Sequence, residues 1–206
     1  MPGFPGGYPI PKDPHLRRWM AFVDGENLTL RAQEIAKTKN INFIEGKYYK
    51  KDVFIWFPGV RGTLNPGDTA NLSMRLQDHA VRSYYYTSVF GDDNKIAEIK
   101  SKIWACGFDP QVFKKARKEE KAKGVDIALT IGMLSHAYMN NYDVALLFSG
   151  DGDYTPVVNE VKRLGKAVYI CAFSRSGLSE ELKIASDSFI DIEPDFEQLV
   201  DKNAKQ

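Results

Sequence analysis

The chain is poor in sulfur and imidazole, with two cysteines (Cys106 and Cys171) and three histidines (His15, His79 and His136) among 206 residues. The cysteines stand far apart in apolar surroundings with no CxxC pair. That excludes a disulfide framework and a thiolate zinc site, and suits a reduced, cytoplasmic compartment. The histidines show no ligand spacing, so each reads as a surface or packing residue rather than a catalyst. No apolar run approaches the ~20 residues of a membrane span, and the N-terminus lacks the apolar core of a signal peptide, so neither membrane insertion nor export by that route is expected. Net charge is absent too: 28 basic residues against 27 acidic ones leave +1. Bulk electrostatics therefore demand no nucleic acid, and a local patch has to carry any such affinity.

What is present is an alternation of strand and helix patterns in a length that suits one domain. Residues 1–18 are rich in proline and glycine and read as an N-terminal arm, residues 19–193 as the domain, and residues 194–206 as a polar tail, with Glu193 already polar. Strands are predicted at 18–24, 83–90, 110–113, 144–148, 167–172 and 189–192. Helices are predicted at 28–37, from Asp92 or Asp93 to Gly107 with Ile96, Ile99, Ile103 and Trp104 inward, and at 124–140, 155–164 and 179–185. In the helix at 124–140, Val125, Ala128, Leu129, Ile131, Leu134 and Tyr138 recur at helical intervals. Residues 40–71 break the alternation with turn signals. They read as an insertion carrying a short strand or hairpin, either a surface lobe with its own small core or a platform whose aromatics and lysines meet RNA. The whole implies an α/β fold: a mostly parallel central sheet with helices on both faces.

The stretch from Val144 to Val158 organises the rest. An unbroken apolar run, Val144-Ala145-Leu146-Leu147-Phe148, is followed at once by Ser149-Gly150-Asp151-Gly152-Asp153, then by Thr155-Pro156 opening a helix. A lone Asp-Gly pair would be read as a turn. A second aspartate two positions on, leaving the carboxyl end of a buried strand where α/β sheets bind ligands, gives the position chemical weight. Asp24 ends the first strand in Asp24-Gly25-Glu26-Asn27, and Asp126 opens a helix that crosses the same edge. If the first and fourth strands are neighbours, Asp24, Asp126, Asp151 and Asp153 converge. So many carboxylates require either raised pKa values or a cation. An all-oxygen set suits Mg²⁺ or Mn²⁺, the apparatus of phosphoryl chemistry. Lys114 to Lys123 is a basic run that reads either as a solvated face or as a phosphate contact.

Several ordered motifs together resemble the NYN domain of the LabA/DUF88 type: Phe22-Val23-Asp24-Gly25-Glu26-Asn27, Lys123-Gly124-Val125-Asp126, Leu147-Phe148-Ser149-Gly150-Asp151-Gly152-Asp153, Gly165-Lys166-Ala167-Val168 and Ala185-Ser186-Asp187-Ser188-Phe189. The resemblance implies a PIN-like, Rossmann-like three-layer fold and a metal-dependent ribonuclease. On that basis Asp24, Asp126, Asp151 and Asp153 are the acidic metal set, Asn27 and Ser149 support it, and Lys118, Lys121, Lys123 and Arg175 meet RNA, expected to be single-stranded and cut internally. One departure is Gly132, where many relatives carry a second helix acid. This leaves two alternatives: a weak or non-catalytic RNA or protein interaction module, and a haloacid-dehalogenase-like phosphatase, the latter disfavoured because Asp24 is followed two positions later by Glu26. Self-pairing as a homodimer is a further expectation.

Overall fold

In the computed structural model, residues 17–56, 80–117, 124–194 and 196 are described. Among them, β1 (Trp19–Asp24), β4 (Ala80–Phe90), β5 (Asp109–Lys115), β6 (Val144–Phe148), β7 (Ala167–Ala172) and β8 (Ser188–Asp191) form one sheet in the order β5-β4-β1-β6-β7-β8. Every pairing is parallel. The chain starts in the middle, builds outward to β5, then returns across β1 to lay down β6, β7 and β8. The first and fourth strands predicted for this sheet are therefore neighbours, and the order reverses between them. That reversal opens a crevice at their carboxyl ends.

Both faces of the sheet are covered, which is why β1 and β6 are apolar without alternation. Helix α1 (Gly25–Thr38) and helix α2 (Asp93–Ala105) cover one face, where Leu28, Ala32, Ile35, Ile99 and Ile103 meet Ala21, Val23 and Tyr85. Helix α3 (Val125–Tyr138), helix α4 (Thr155–Arg163) and helix α5 (Glu180–Ala185) cover the other, meeting Met20, Phe22, Tyr84 and Tyr86. Side chains alternate along β1, so Asp24 continues the face of Met20 and Phe22, toward α3 and α4.

Four expectations are corrected. Trp104 is not inward: it is 71% exposed while Ile99 and Ile103 are fully buried, because it lies about 100° around the helix from Ile103. In α3 the buried stripe is Val125, Leu129, Met133 and Ala137, whereas Ile131 and Tyr138 face outward. Strand β5 runs on through Lys114 and Lys115, shortening the basic run. Its remaining lysines, Lys118, Lys121 and Lys123, lie outside the described residues.

The fourth correction concerns residues 40–71. Their described part holds a two-stranded hairpin, β2 (Tyr49–Lys50) and β3 (Phe54–Ile55), and it shares the main core instead of packing its own. Val53, Phe54, Ile55 and Trp56 are buried, and the Tyr85 hydroxyl donates to Ile55 O at 2.9 Å and accepts from Ile55 N at 3.2 Å. At the other end of the chain, Glu193 and Phe196 are buried as well, Phe196 against Phe43 and Phe173. The polarity of the residues around Phe196 conceals an anchor that completes the core on the α1 side.

Candidate active site

Asp24 is set where β1 ends and α1 begins. As the N-cap of α1 it accepts from Asn27 N at 3.0 Å through Oδ1, which orients the carboxylate and leaves Oδ2 for the crevice. Oδ2 accepts from Ser149 Oγ at 3.1 Å, a bond between the ends of β1 and β6, and Asn27 Oδ1 accepts from Gly150 N at 3.3 Å. Asn27 and Ser149 thus bridge two neighbouring strand ends around one carboxylate. Asp24 is 3% exposed, and burial, with the nearby charges of Asp126 and Glu26, raises its pKa from 3.8 to about 7 against the Asn27 and Ser149 hydrogen bonds. Among the described residues no Lys or Arg forms an ion pair with it.

Asp126, in the first turn of α3, is exposed and reaches the same place by way of a residue not singled out in the sequence. The buried Tyr154 hydroxyl lies 3.3 Å from Asp24 Oδ2 and 3.1 Å from Asp126 Oδ1, one proton serving two carboxylates. Burial and the two acids hold that phenol far above its ordinary pKa, so it remains a donor at any physiological pH.

The other two aspartates are engaged differently. Asp151 N donates to Ser149 Oγ at 3.1 Å, while Asp151 Oδ1 accepts from Asp153 N at 3.0 Å, capping the 3₁₀ turn Gly152–Tyr154. Asp151 therefore stands one link from Asp24 but spends one oxygen on its own turn, as an Asp-Gly sequence ordinarily does. Asp153 is exposed, and it is its backbone N–H that meets Asp151. Among the described residues, no three carboxylate, imidazole or thiolate groups stand close enough to form a ready-made metal cage. Mg²⁺ does not require one: it is commonly held by one or two carboxylates with waters and substrate phosphates completing the shell. Asp24 and Asp126 fit that pattern, since a cation would relieve a buried carboxylate that otherwise titrates near neutrality.

Further polar contacts flank the pair. Glu26 accepts from Ser88 and pairs with Lys115 at 3.1 Å, both side chains being largely buried. Arg175 lies on the loop after β7 with a 75% exposed side chain, 3.7 Å from the Glu193 carboxylate. His136 is a packing residue: it bonds Tyr84 OH and Asn141 Nδ2, and burial together with Arg82 lowers its pKa.

Two glycines are explained by close approach. A Cβ on Gly150 would stand 2.5 Å from Gly177 O, so only glycine lets the loops after β6 and β7 meet. A Cβ on Gly132 would collide with the Tyr86 hydroxyl, which occupies the space where a side chain would otherwise project from α3. Gly132→Ala is therefore expected to destabilise the protein by about 1–3 kcal/mol despite alanine's better helix propensity, a loss measurable by urea unfolding. A neutral or stabilising result would show that Tyr86 yields without cost.

A family model for the NYN domain matches residues 18–193. The chain belongs to the NYN domain family. This NYN domain is 24% identical over 174 residues to the low amplitude and bright protein LabA of Synechococcus elongatus, covering 79% of this chain and 88% of LabA. Its fold is shared with a protein of unknown function from Vibrio parahaemolyticus, whose crystal structure matches with a TM-score of 0.61 at 21% identity, covering 90% of this chain and 98% of that one. NYN domains are PIN-like, generally nucleases, and as a family bind RNA and usually use divalent metals. No helix among the described residues is long and apolar enough to cross a membrane.

Proposed function

We propose that this NYN domain is a ribonuclease that cuts internal phosphodiester bonds of single-stranded RNA at the Asp24–Asp126 pair, with Mg²⁺ or Mn²⁺ as cofactor. The observation that supports it most is the state of Asp24: buried, unpaired with any described cation, and sharing a proton donor with Asp126 at the switch point of the sheet. Asp24 and Asp126 would hold the ion. Bound there, a divalent cation neutralises phosphate oxygens and brings the pKa of water within reach of neutral pH.

The chain's own groups do the positioning. Asn27 and Ser149 fix the Asp24 carboxylate, and Tyr154 sets the Asp24 and Asp126 oxygens about one hydroxyl. Asp151, with one carboxylate oxygen outside its turn, would orient a water or a leaving group, and the exposed Asp153 would add its charge beside it. Arg175 steers the strand from the loop after β7, and Lys118, Lys121 and Lys123, which precede α3 in the chain, supply further charge for phosphates. Two buried cysteines that form no disulfide, Cys106 and Cys171, suit a reducing cytoplasm.

A second reading, an RNA- or protein-binding module without turnover, draws on the lack of a three-acid cage among the described residues. The test is incubation of 5′-labelled single-stranded RNA with the protein in Mn²⁺ or Mg²⁺, beside an Asp151→Asn variant and a chelator control. Internal cleavage that requires the ion and falls on substitution is expected. Retention of uncut RNA would leave the binding module, and phosphate release from a small phosphomonoester with RNA intact would leave a phosphatase.

A further inference from the structure

Helix α3 carries two apolar stripes, and the sheet uses only one. Val125, Leu129, Met133 and Ala137 are buried beneath it, yet Ile127, Ile131 and Tyr138 are 64%, 57% and 66% exposed, with half-buried Leu134 between the last two. These four positions, of which Leu134 also rests partly on the core, follow one another at intervals of four, three and four residues, the spacing of a coiled-coil seam. They are also symmetric about a point between Gly132 and Met133. An identical helix laid antiparallel across that point sets Ile127 against Tyr138 of a second copy and Ile131 against its Leu134, every contact occurring twice.

Charge selects the same occupant. At a two-fold axis a charged side chain meets its own kind, so a self-pairing seam has to be neutral. Asp126 and His136 are the only ionisable groups of α3 apart from tyrosine. Asp126 turns to Tyr154 and His136 is tied to Tyr84 and Asn141. A nucleic acid would call for Lys or Arg along the stripe, and a membrane surface for a basic rim; α3 supplies neither.

We propose that the outer stripe of α3 is a self-association surface on which a second copy of this chain packs antiparallel, Ile131 facing Leu134 of the other copy. The stripe is about 17 Å long, shorter than a permanent interface needs, so the dimer forms and separates with concentration at a Kd of about 10–100 µM. Asp126 adjoins one end of the seam, so the two Asp24–Asp126 pairs sit at its opposite ends, about 20 Å apart along the helix axes.

Sedimentation velocity on the full chain, free of RNA and metal and from about 5 to 500 µM across the expected Kd range, tests this. The native protein is expected to shift from monomer to dimer, and Ile131→Glu and Leu134→Lys each to weaken association at least tenfold. An equimolar mixture of the two variants is expected to regain the dimer, because the antiparallel register brings the new carboxylate to the new amine. Thermal unfolding midpoints verify that the variants fold; if Ile131→Glu does not, Ile127→Glu with Tyr138→Lys repeats the exchange at the seam's ends. A native chain monomeric throughout, a dimer indifferent to the glutamates, or a mixture that stays monomeric would each overturn the proposal, whatever the outcome of the RNA assay.

Discussion

Replacing Asp24 with asparagine is expected to lower RNA cleavage on the order of 1,000-fold and, at pH 8, to raise the unfolding midpoint by roughly 10 °C. The loss follows from removing a carboxylate from the pair that would hold the cation. The gain follows from the burden that carboxylate places on the fold. Its pKa is about 7 in the folded chain against an ordinary 3.8, so between these values the folded state binds more protons than the unfolded one. Stability therefore falls as pH rises through that window, in total by something of order 4 kcal/mol, and stays lower above it. Asparagine carries no such charge and keeps an acceptor for Asn27 N. Its advantage is expected to be full at pH 8 and gone near pH 4, which calorimetry at the two pH values measures. A variant that is inactive but no more stable at pH 8 would mean that Asp24 is ionised in the free protein without cost.

The second large effect is competition between protons and the ion. If Asp24 titrates near neutrality and must be ionised to bind Mn²⁺, the apparent affinity should be flat above about pH 8 and fall close to tenfold per unit well below pH 7. Titration calorimetry or the loss of the free-ion paramagnetic signal reads this without RNA. The same experiment on Tyr154→Phe is informative, since that hydroxyl is the donor shared by both acids. Removing a group that orients metal-binding carboxylates is expected to weaken binding about 10- to 100-fold. An affinity constant from pH 6 to 8 in the native protein would remove Asp24 from the ligand set.

Strands buried on both faces were legible because their apolar runs are continuous, and β1, β6 and β7 appear where those runs lie. A hairpin within residues 40–71 was legible from its turn signals, but its exact strands and its seat in the main core were not, because each strand is two residues long and its place is decided by the Tyr85 and Thr87 hydroxyls, some 30 positions away. Helix α3 misled for a different reason: with apolar side chains on opposite sides, periodicity alone cannot say which stripe the sheet takes. In the site, Asp24 was legible as a carboxylate at a strand end and Asn27 through the family motif it stands in, whereas Tyr154 looked like one more aromatic after an Asp-Gly turn. Its role depends on Asp126, 28 residues earlier in the chain, and only the fold brings them together.

Strand β1 is made first yet lies between β4 and β6, and Asp24 at its end bonds Ser149 and Tyr154, 125 and 130 residues further on. During synthesis this central strand waits with one long edge open until β6 leaves the ribosome, which makes the sheet a late and slow closure. A product cut short between Asp126 and Tyr154 holds both acids but not the hydroxyl that joins them, so such incomplete copies are born with the two carboxylates unlinked.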